Sequence, residues 1–341
     1  VPYHTLRNRF LGKSKAPEDA HANQQFLSPE QERVLADWLQ HLGDTGHPLD
    51  KRSIREAARA IAGKLPSRGW VRLFCARHPN IVMGKGSSLD PKRAQAFNRP
   101  VVTRHFELLK KIMEEHGIPW ENVYNMDEKG CQRGSRKGSN RKHFFARNKR
   151  PKYKIRSGNL ELVTIIECVC ADGSSLLPGF VFPGNGNYCP EWFTHSHLVI
   201  FSIATSPNGW TDDYLCEKWF EDSFLPQAKA RNTSGKPILL IYDGHGSHEG
   251  IKMVRLGREN NIILFCLPPH TTHMLQPLDV GVFGPFQRAW IDRCDEVVAD
   301  TGAEMAIRDF VREYMGVRNQ TFKATTIISA FKKSGIRPLN P

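Results

Sequence analysis

The stretch Ile238–Pro285 contains ILLIYDGHGSHEG and, after a polar segment of helix length, NIILFCLPPHTTHMLQPLDVGVFGP. The apolar runs Ile238–Ile241 and Ile262–Leu267 are rich in β-branched and aromatic residues, which predicts a β-α-β unit. Asp243 follows the first run, and Asp279 follows the second after a short polar loop. Because the carboxyl ends of parallel strands open onto the ligand crevice of α/β sheets, the stretch places two carboxylates at one rim of a sheet.

Three further strands are predicted upstream of this unit. Val123–Met126 predicts a short strand that ends at Asp127. The runs Leu162–Val169 and Leu176–Phe182 are joined by an Ala-Asp-Gly turn, which indicates a β-hairpin. The Gly- and Pro-rich residues from Pro183 to Pro207 are predicted to be irregular. Helices are predicted after a Thr211 cap and over Phe286–Val298, Ala303–Met315 and Ala324–Lys333.

The order three strands, helix, strand, helix, strand, helix is that of a ribonuclease H-like domain, with a mixed five-stranded sheet and flanking helices. In this order the first and fourth strands are neighbours, so Asp127 faces Asp243 and Asp279 enters from the helix side. Three carboxylates in one cleft repel each other unless a hard divalent cation neutralises them. Two such ions can clamp an in-line phosphoryl displacement. The competing interpretation of Asp279 is a helix cap.

The charge of the chain is unevenly distributed. The net charge is +13 over 341 residues. Residues 1–156 carry 32 Lys and Arg against 15 Asp and Glu, whereas residues 157–341 carry 16 against 20. A basic half joined to a near-neutral half indicates a polyanionic partner, with nucleic acid as the first candidate and a solvated basic surface as the alternative. Eight scattered cysteines without CxxC pairs suit a reducing compartment. We expect no membrane-spanning segment.

Three short helices near the N-terminus predict a helix-turn-helix. Ser28, Pro29 and Gln31 form a capping box with a proline at the first helical position. Asp50 is predicted to cap the second helix and Ser67 the third. Trp and Phe at helical spacing are predicted to be core, and the arginines of the third helix are predicted to face outward, toward the DNA major groove or solvent. These candidate DNA-binding arginines are Arg68, Arg72 and Arg77, and an N-terminal helix adds Arg7 and Arg9.

A basic segment follows the first predicted strand. Residues 129–156 contain 12 Lys and Arg and no Asp or Glu, with Phe144, Phe145 and Tyr153 between the charges. Basic residues with interleaved aromatics suit a phosphate backbone and stacked bases, and a surface loop is the compatible alternative. The candidate DNA-binding residues in this segment are Arg136, Lys137, Arg141, Lys142, Arg147, Lys149 and Arg150.

Two H-x-x-H pairs lie beside the aspartates in glycine- and proline-rich loops. A zinc site usually needs three or four converging nitrogen or sulfur ligands. Loop structure, or bridging to water or DNA, is the favoured interpretation over zinc. The four histidines are His245, His248, His270 and His273.

Long ordered motifs carry a family resemblance. NMDEKG, GNLELVTIIECVCADG, LLIYDGHGSH, LPPHTTHMLQPLDVGVFGPFQRAW and SGIRPLNP resemble the DDE endonuclease domain of pogo/Tigger/jerky-type transposases of the Tc1/mariner superfamily. The resemblance implies a DDE domain over residues 119–341. It also implies a centromere protein B type helix-turn-helix over 22–90, a helical connector over 91–118 and the end of a pipsqueak-type helix-turn-helix over 1–12.

The resemblance implies a metal-dependent DNA transposase with Asp127, Asp243 and Asp279 as catalytic and metal-binding triad. Its expected cofactors are two Mg²⁺ or Mn²⁺ ions. Its expected partners are double-stranded DNA, as terminal inverted repeats and target, with a homodimer left open and no membrane or small-molecule cofactor. The expected location is the nucleus. Two alternatives remain: a domesticated DNA-binding protein with a non-catalytic DDE scaffold, and a repair or RNA-cleaving nuclease on the same fold.

Overall fold

The structure is a computed structural model, and its contacts divide the chain into two compact units, Val1–Ala94 and Gln95–Pro341. Among the described residues, no helix is both long enough and apolar enough to cross a membrane. The described residues are 2–11, 25–44, 48–85, 90–134, 144–145, 154–155, 157–186, 188–192, 202–244 and 251–340.

The first unit is helical, and its helix starts follow the sequence closely. The capping box is confirmed: the Gln31 N–H donates to Ser28 Oγ at 3.2 Å, and the Ser28 N–H donates to Gln31 Oε1 at 3.0 Å. Asp50 caps the next helix by accepting two backbone N–H groups. The predicted Ser67 cap is wrong, because the third helix begins after Gly69 with no side-chain cap. The helices are α1 Tyr3–Phe10, α2 Pro29–Asp44, α3 Lys51–Ala62 and α4 Trp70–Arg77, and α5 Pro91–Ala96 crosses the unit boundary.

The core of this unit is formed where α2, α3 and α4 meet. Leu35 of α2, Ala58 of α3 and Phe74 of α4 are each at most 2% exposed. The core prediction for Trp and Phe at helical spacing holds for Trp70 and Phe74 of α4, which are buried, but not for Trp38 of α2, which is 44% exposed. The buried face of α2 passes instead through Leu35, Ala36 and the carboxylate of Glu32, so Trp38 lies at the edge of the apolar stripe.

The second unit contains a mixed sheet. In the described part of the chain its strand order is β4-β3-β2-β1-β5-β6. β1 is antiparallel to β2 and parallel to β5, and β5 is parallel to β6. The neighbouring placement of the first strand and the strand that precedes Asp243 is therefore confirmed. The strands are β1 Val123–Gln132, β2 Leu162–Cys170, β3 Gly179–Pro183, β4 Ser202–Ser206, β5 Ile238–Tyr242 and β6 Ile262–Cys266.

The sheet has one strand more than the five predicted. The additional strand is β4, which pairs in parallel with β3 and lies at the edge of the sheet. Its sequence SIATS has no long apolar run, and its five residues are only partly buried except for Ser206. Because an edge strand needs one partner and one covered face, it does not require the apolar pattern that predicted the other strands.

Helices cover both faces of the sheet. Alternate residues of β1 and β5 point to opposite faces, so Val123 and Leu239 join one core cluster while Tyr124 and Leu240 join another. Asp212, not the predicted Thr211, caps α7 by accepting the Leu215 N–H at 2.8 Å. The helices are α6 Arg99–His116, α7 Asp213–Trp219, α8 Leu225–Arg231, α9 Ile251–Glu259, α10 Thr272–Leu275, α11 Phe283–Thr301, α12 Phe310–Thr321 and α13 Ala324–Lys333; π-helical turns span Phe220–Phe224 and Leu278–Val282, and 3₁₀ turns span Trp120–Asn122, Pro190–Trp192 and Ile307–Asp309.

Candidate active site

Asp127 lies inside β1. The prediction that the strand ends at this residue is wrong, because antiparallel pairing with β2 continues to Gln132. Parallel pairing with β5 covers only Val123 to Asn125. Asp127 therefore lies just past the point where β1 loses its parallel neighbour, and its side chain is 8% exposed.

Asp243 follows β5 directly and is also 8% exposed. The strand holds it in place through five consecutive buried residues, Ile238–Tyr242. The Leu267 N–H after β6 donates to the Tyr242 carbonyl at 2.8 Å, which extends the ladder to the residue before Asp243. Because β1 and β5 are adjacent and parallel, Asp127 and Asp243 emerge at the same edge of the sheet.

Asp279 enters from a helical segment. It belongs to the π-helical turn Leu278–Val282, which runs directly into α11. The N-cap positions of these two segments are Pro277 and Val282. Asp279 is therefore not a helix cap, and the alternative interpretation is wrong. Its neighbour Leu278 is buried, whereas Asp279 is exposed.

The three carboxylates influence one another electrostatically. The pKa of Asp127 is raised well above its usual range, first by burial and then by the negative charges of Asp279 and Asp243. The N–H of Glu128, which donates to Asp127 Oδ1 at 2.8 Å, and a hydrogen bond from Gln276 act in the opposite direction. The structure thus brings together the three aspartates that the sequence singled out, and it concentrates negative charge at this edge of the sheet.

This donor set fits a hard divalent cation by type and charge. Carboxylate oxygens are the ligands that Mg²⁺ and Mn²⁺ prefer, and a bound cation relieves the repulsion that raises the pKa of Asp127. Within the described residues, however, no three His, Cys, Asp or Glu side chains are already arranged to hold a metal ion. Charges act over longer distances than metal–ligand bonds, so the three aspartates can affect one another's charge without being close enough together to bind one ion.

The zinc alternative gains no support. His270 has a positive φ of 63° in the turn before α10, and His273 lies within that helix. The ring of His273 packs edge-on against Phe97, with ring centroids 6.0 Å apart. His245 and His248 lie outside the described residues.

Two buried amides beside the aspartates escaped sequence reasoning. Asn125 and Gln276 are both 0% exposed and hydrogen-bond to each other at 2.8 Å. The motifs that contain them, NMDE and LQPLD, drew attention to the aspartates alone. A polar residue in an otherwise apolar run, two positions before Asp127, was the available signal.

The sequence model described as DDE superfamily endonuclease matches residues 159–331, about half of the chain. The chain belongs to the DDE superfamily endonuclease family. The matched residues include Asp243 and Asp279, and Asp127 lies before the first matched residue. A second model, described as Tc5 transposase DNA-binding domain, matches residues 28–85, which include the helices α2, α3 and α4.

Curated relatives of this chain are longer proteins. A protein of Cochliobolus lunatus named MFS-type transporter clz9 is 32% identical over 349 residues, covering 99% of this chain and 33% of that protein. The Jerky protein of Mus musculus is 23% identical over 303 residues, covering 83% of this chain and 51% of that protein. The chain thus spans a third to a half of the length of these relatives. The predicted resemblance to jerky-type transposases is confirmed.

The fold is shared with a solved transposase. The crystal structure of the mariner Mos1 paired end complex with Mg superposes with a TM-score of 0.50, at 12% sequence identity, covering 90% of this chain and 79% of that chain. The predicted class, a ribonuclease H-like α/β domain preceded by a helical helix-turn-helix, is confirmed, with the sixth strand as its correction.

The predicted DNA-binding residues fall into three groups. Arg7, Arg68 and Arg72 are exposed: Arg7 lies on α1, Arg68 in the turn that precedes α4, and Arg72 in the first turn of α4. Arg77 instead donates two hydrogen bonds, at 2.9 and 2.6 Å, to the buried carboxylate of Glu32, which ties α4 to α2. Arg9 lies within α1. Outside the described residues lie Arg136, Lys137, Arg141, Lys142, Arg147, Lys149 and Arg150.

Proposed function

We propose that this DDE endonuclease is a DNA-binding transposase that cuts and joins phosphodiester bonds, with Asp127, Asp243 and Asp279 as its catalytic triad. The observation that carries the proposal is that these carboxylates come from three separate elements to one site, where burial and then the negative charges of Asp279 and Asp243 raise the pKa of Asp127. Strongly perturbed carboxylates at the carboxyl edge of a sheet are typical of functional sites. Membership of the endonuclease family supports the same reaction class.

The proposed cofactors are two Mg²⁺ or Mn²⁺ ions, held by the three aspartates. When bound, such ions activate the attacking oxygen and stabilise the leaving oxygen of an in-line phosphoryl displacement. The neighbouring Mos1 structure is of a complex with Mg, which agrees with this choice of ion.

The residues of the chain prepare the site for that role. The N–H of Glu128 fixes one oxygen of Asp127 at 2.8 Å, which orients the carboxylate. Asp127 and Asp243 are buried, so packing sets their positions, whereas Asp279 is exposed and is proposed to face the incoming DNA. The concentrated negative charge attracts divalent cations and would repel a phosphate in their absence.

The proposed reaction has two chemically similar steps. Water first attacks a phosphodiester at a terminal inverted repeat, the bond from phosphorus to the 3′ oxygen breaks, and a 3′-hydroxyl and a 5′-phosphate result. The freed 3′-hydroxyl then attacks a phosphodiester of the target DNA, and a second 3′ oxygen leaves. One carboxylate set can serve both steps, because each is an in-line exchange of oxygens at phosphorus.

The first unit is proposed to recognise the transposon ends. Its match to the Tc5 transposase DNA-binding domain supports this role. The proposed base or phosphate contacts are Arg68, exposed just before α4, and Arg72, exposed in its first turn, and Arg7 is a further phosphate contact. The basic residues between 129 and 156 are proposed to bind target or displaced strands. A nuclear location and a homodimer that pairs two DNA ends complete the proposal.

One observation favours a second candidate, a domesticated DNA-binding protein whose DDE domain is a scaffold. No three-ligand group is preassembled among the residues that the structure describes. A scaffold would bind DNA through the first unit and would not cut it with any divalent cation. Metal-dependent cleavage therefore separates the two candidates, whereas DNA affinity and its salt dependence do not.

The test is nicking of supercoiled plasmid in Mn²⁺, because plasmid cleavage needs no knowledge of the terminal repeats. Wild type is compared with Asp243→Asn and with Asp295→Asn. Asp295 is a matched control, since it is 9% exposed and pairs with Lys154 at 2.7 Å. We expect nicking by wild type and the Asp295 variant only. Equal nicking by the Asp243 variant would remove Asp243 from the proposed triad, and no nicking of plasmid or terminal-repeat DNA by wild type would favour the scaffold.

A further inference from the structure

Two buried amide side chains connect the elements that carry the three aspartates. Asn125 of β1 and Gln276, which ends α10, are both 0% exposed. Asn125 is hydrogen-bonded to Ile241 and Leu278, and Gln276 follows Leu275; these three residues belong to a buried apolar cluster. Buried amides are unfavourable unless they are hydrogen-bonded, so their partners indicate what they are for.

Asn125 makes hydrogen bonds to two other elements. Its Nδ2 donates to the Ile241 carbonyl of β5 at 3.0 Å and to Gln276 Oε1 at 2.8 Å. Its Oδ1 accepts the N–H of Leu278 at 3.1 Å. One side chain thereby joins β1, the end of β5 and the start of the π-helical turn.

Gln276 closes the arrangement from the other side. Its Nε2 donates to the Met126 carbonyl at 3.0 Å, between Asn125 and Asp127. Its Oε1 accepts from Asn125, so both ends of its amide are engaged with β1. The two amides are reciprocally fixed, and neither can turn without breaking the bonds of the other.

The backbone groups that this pair binds each lie close to one aspartate. Met126 immediately precedes Asp127. Ile241 lies two residues before Asp243, and Leu278 immediately precedes Asp279. Asn125 and Asp127 also project from the same face of β1, because strand side chains alternate.

We propose that Asn125 and Gln276 form a polar clamp that sets the relative positions of Asp127, Asp243 and Asp279 for divalent cation binding. Neither amide touches the reacting atoms, so both are positioning residues. The inference rests on the proposed function and adds to it the device that aligns the triad. Packing alone does not require the pair, since apolar side chains of similar volume could fill the same space.

The chain offers a matched control in Asn122. It is 0% exposed, lies just before β1 and donates to four acceptors, including Asn232 Oδ1 and the Lys236 carbonyl. None of its bonds reaches the elements of the triad near an aspartate. Asn122→Ala therefore removes a buried amide of the same kind without loosening the proposed clamp.

The experiment measures Mn²⁺ affinity by calorimetry, plasmid nicking and thermal unfolding for wild type, Asn125→Ala, Gln276→Met and Asn122→Ala. All three variants lose thermal stability. We expect Mn²⁺ affinity and nicking to fall about 10–100-fold for the two clamp variants and less than about 3-fold for the control. In the double variant of Asn125 and Gln276, Mn²⁺ affinity and nicking should fall little further than in either single variant, because each single change already breaks the same clamp.

Gln276→Met guards against misfolding, since it keeps the volume of the side chain and removes its hydrogen bonds to Asn125, Met126 and Asp127 without adding a charge. Folded clamp variants that bind Mn²⁺ and nick plasmid like wild type would overturn the clamp and leave the proposed function standing. A wild type that neither binds Mn²⁺ nor cuts would overturn the proposed function, and the clamp with it. If Asn122→Ala loses as much Mn²⁺ affinity as the clamp variants, the effect of those variants comes from a general loss of stability, and the clamp is overturned.

Discussion

Gly281 is the position where a single methyl group should disturb the triad. It lies two residues after Asp279 in the π-helical turn, and α13 packs against that turn. A Cβ added at Gly281 would lie 2.5 Å from the Cβ of Ala330 and 2.8 Å from its Cα. Because one of these atoms is backbone, no side-chain rotation can relieve the contact.

The magnitude follows from these distances. Carbon atoms in contact normally lie about 3.5–4.0 Å apart, so Gly281→Ala forces the turn and α13 apart by about 1 Å. Overpacking of this kind destabilises by about 1–3 kcal/mol, and the better helix propensity of alanine offsets up to about 1 kcal/mol. A displacement of about 1 Å near Asp279 lowers cleavage by up to about 100-fold.

The assay pairs urea unfolding with plasmid nicking. Gly316→Ala is the control, because Gly316 is exposed within α12 and a Cβ there would meet nothing within 4 Å. We expect Gly316→Ala to be neutral or stabilising by up to about 1 kcal/mol, with unchanged nicking. Adding Ala330→Gly to the Gly281 variant should restore part of the loss, since the Cβ contact disappears and the 2.8 Å contact with Cα stays.

If Gly281→Ala is as stable and as active in nicking as wild type, the predicted collision with Ala330 is wrong, because the turn then has room for a methyl group. Loss of stability with unchanged nicking would refute only the link between this packing and the position of Asp279. Equal losses in Gly316→Ala would show that the effect is not specific to the packed glycine.

Three further predictions rest on charge. Asp127→Asn should raise the melting temperature without divalent cations, because it removes a buried charge that two carboxylates repel, and Mn²⁺ should stabilise this variant less than wild type. Burial lowers the pKa of His105 from 6.5 to about 4, so the unfolded chain binds the proton first as the pH falls. The free energy of unfolding, measured with urea, should therefore fall by about 2 kcal/mol between pH 7 and pH 5. His105→Gln should lose this pH dependence. Arg68→Ala and Arg72→Ala should each weaken DNA binding and reduce the salt slope by about 1, measured by fluorescence anisotropy, whereas Arg77→Ala should mainly lower stability because Arg77 pairs with Glu32.

Local patterns in the sequence were sufficient for much of the fold. The capping box at Ser28 and the cap at Asp50 depend on residues two or three positions apart, and the structure confirms both. The bounds of α13, Ala324–Lys333, agree with the predicted helix. The adjacency of β1 and β5, which brings Asp127 and Asp243 to one edge, followed from element order alone.

Features set by tertiary contacts were out of reach. β4 is a strand because β3 offers it a parallel partner, and its polar sequence gives no local signal. β1 continues past Asp127 because β2 pairs with it to Gln132. The bond between Asn125 and Gln276 joins residues 151 positions apart, so no spacing rule could connect them.

The central claim is that Asp127, Asp243 and Asp279 form one divalent cation site. Calorimetric titration of Mn²⁺ into wild type, Asp127→Asn, Asp243→Asn and the control Asp295→Asn tests it most directly. We expect binding by wild type and the control, with affinity reduced at least about 10-fold in both triad variants. Mn²⁺ binding that is equally strong in all four proteins would contradict it, because the cation would then lie elsewhere.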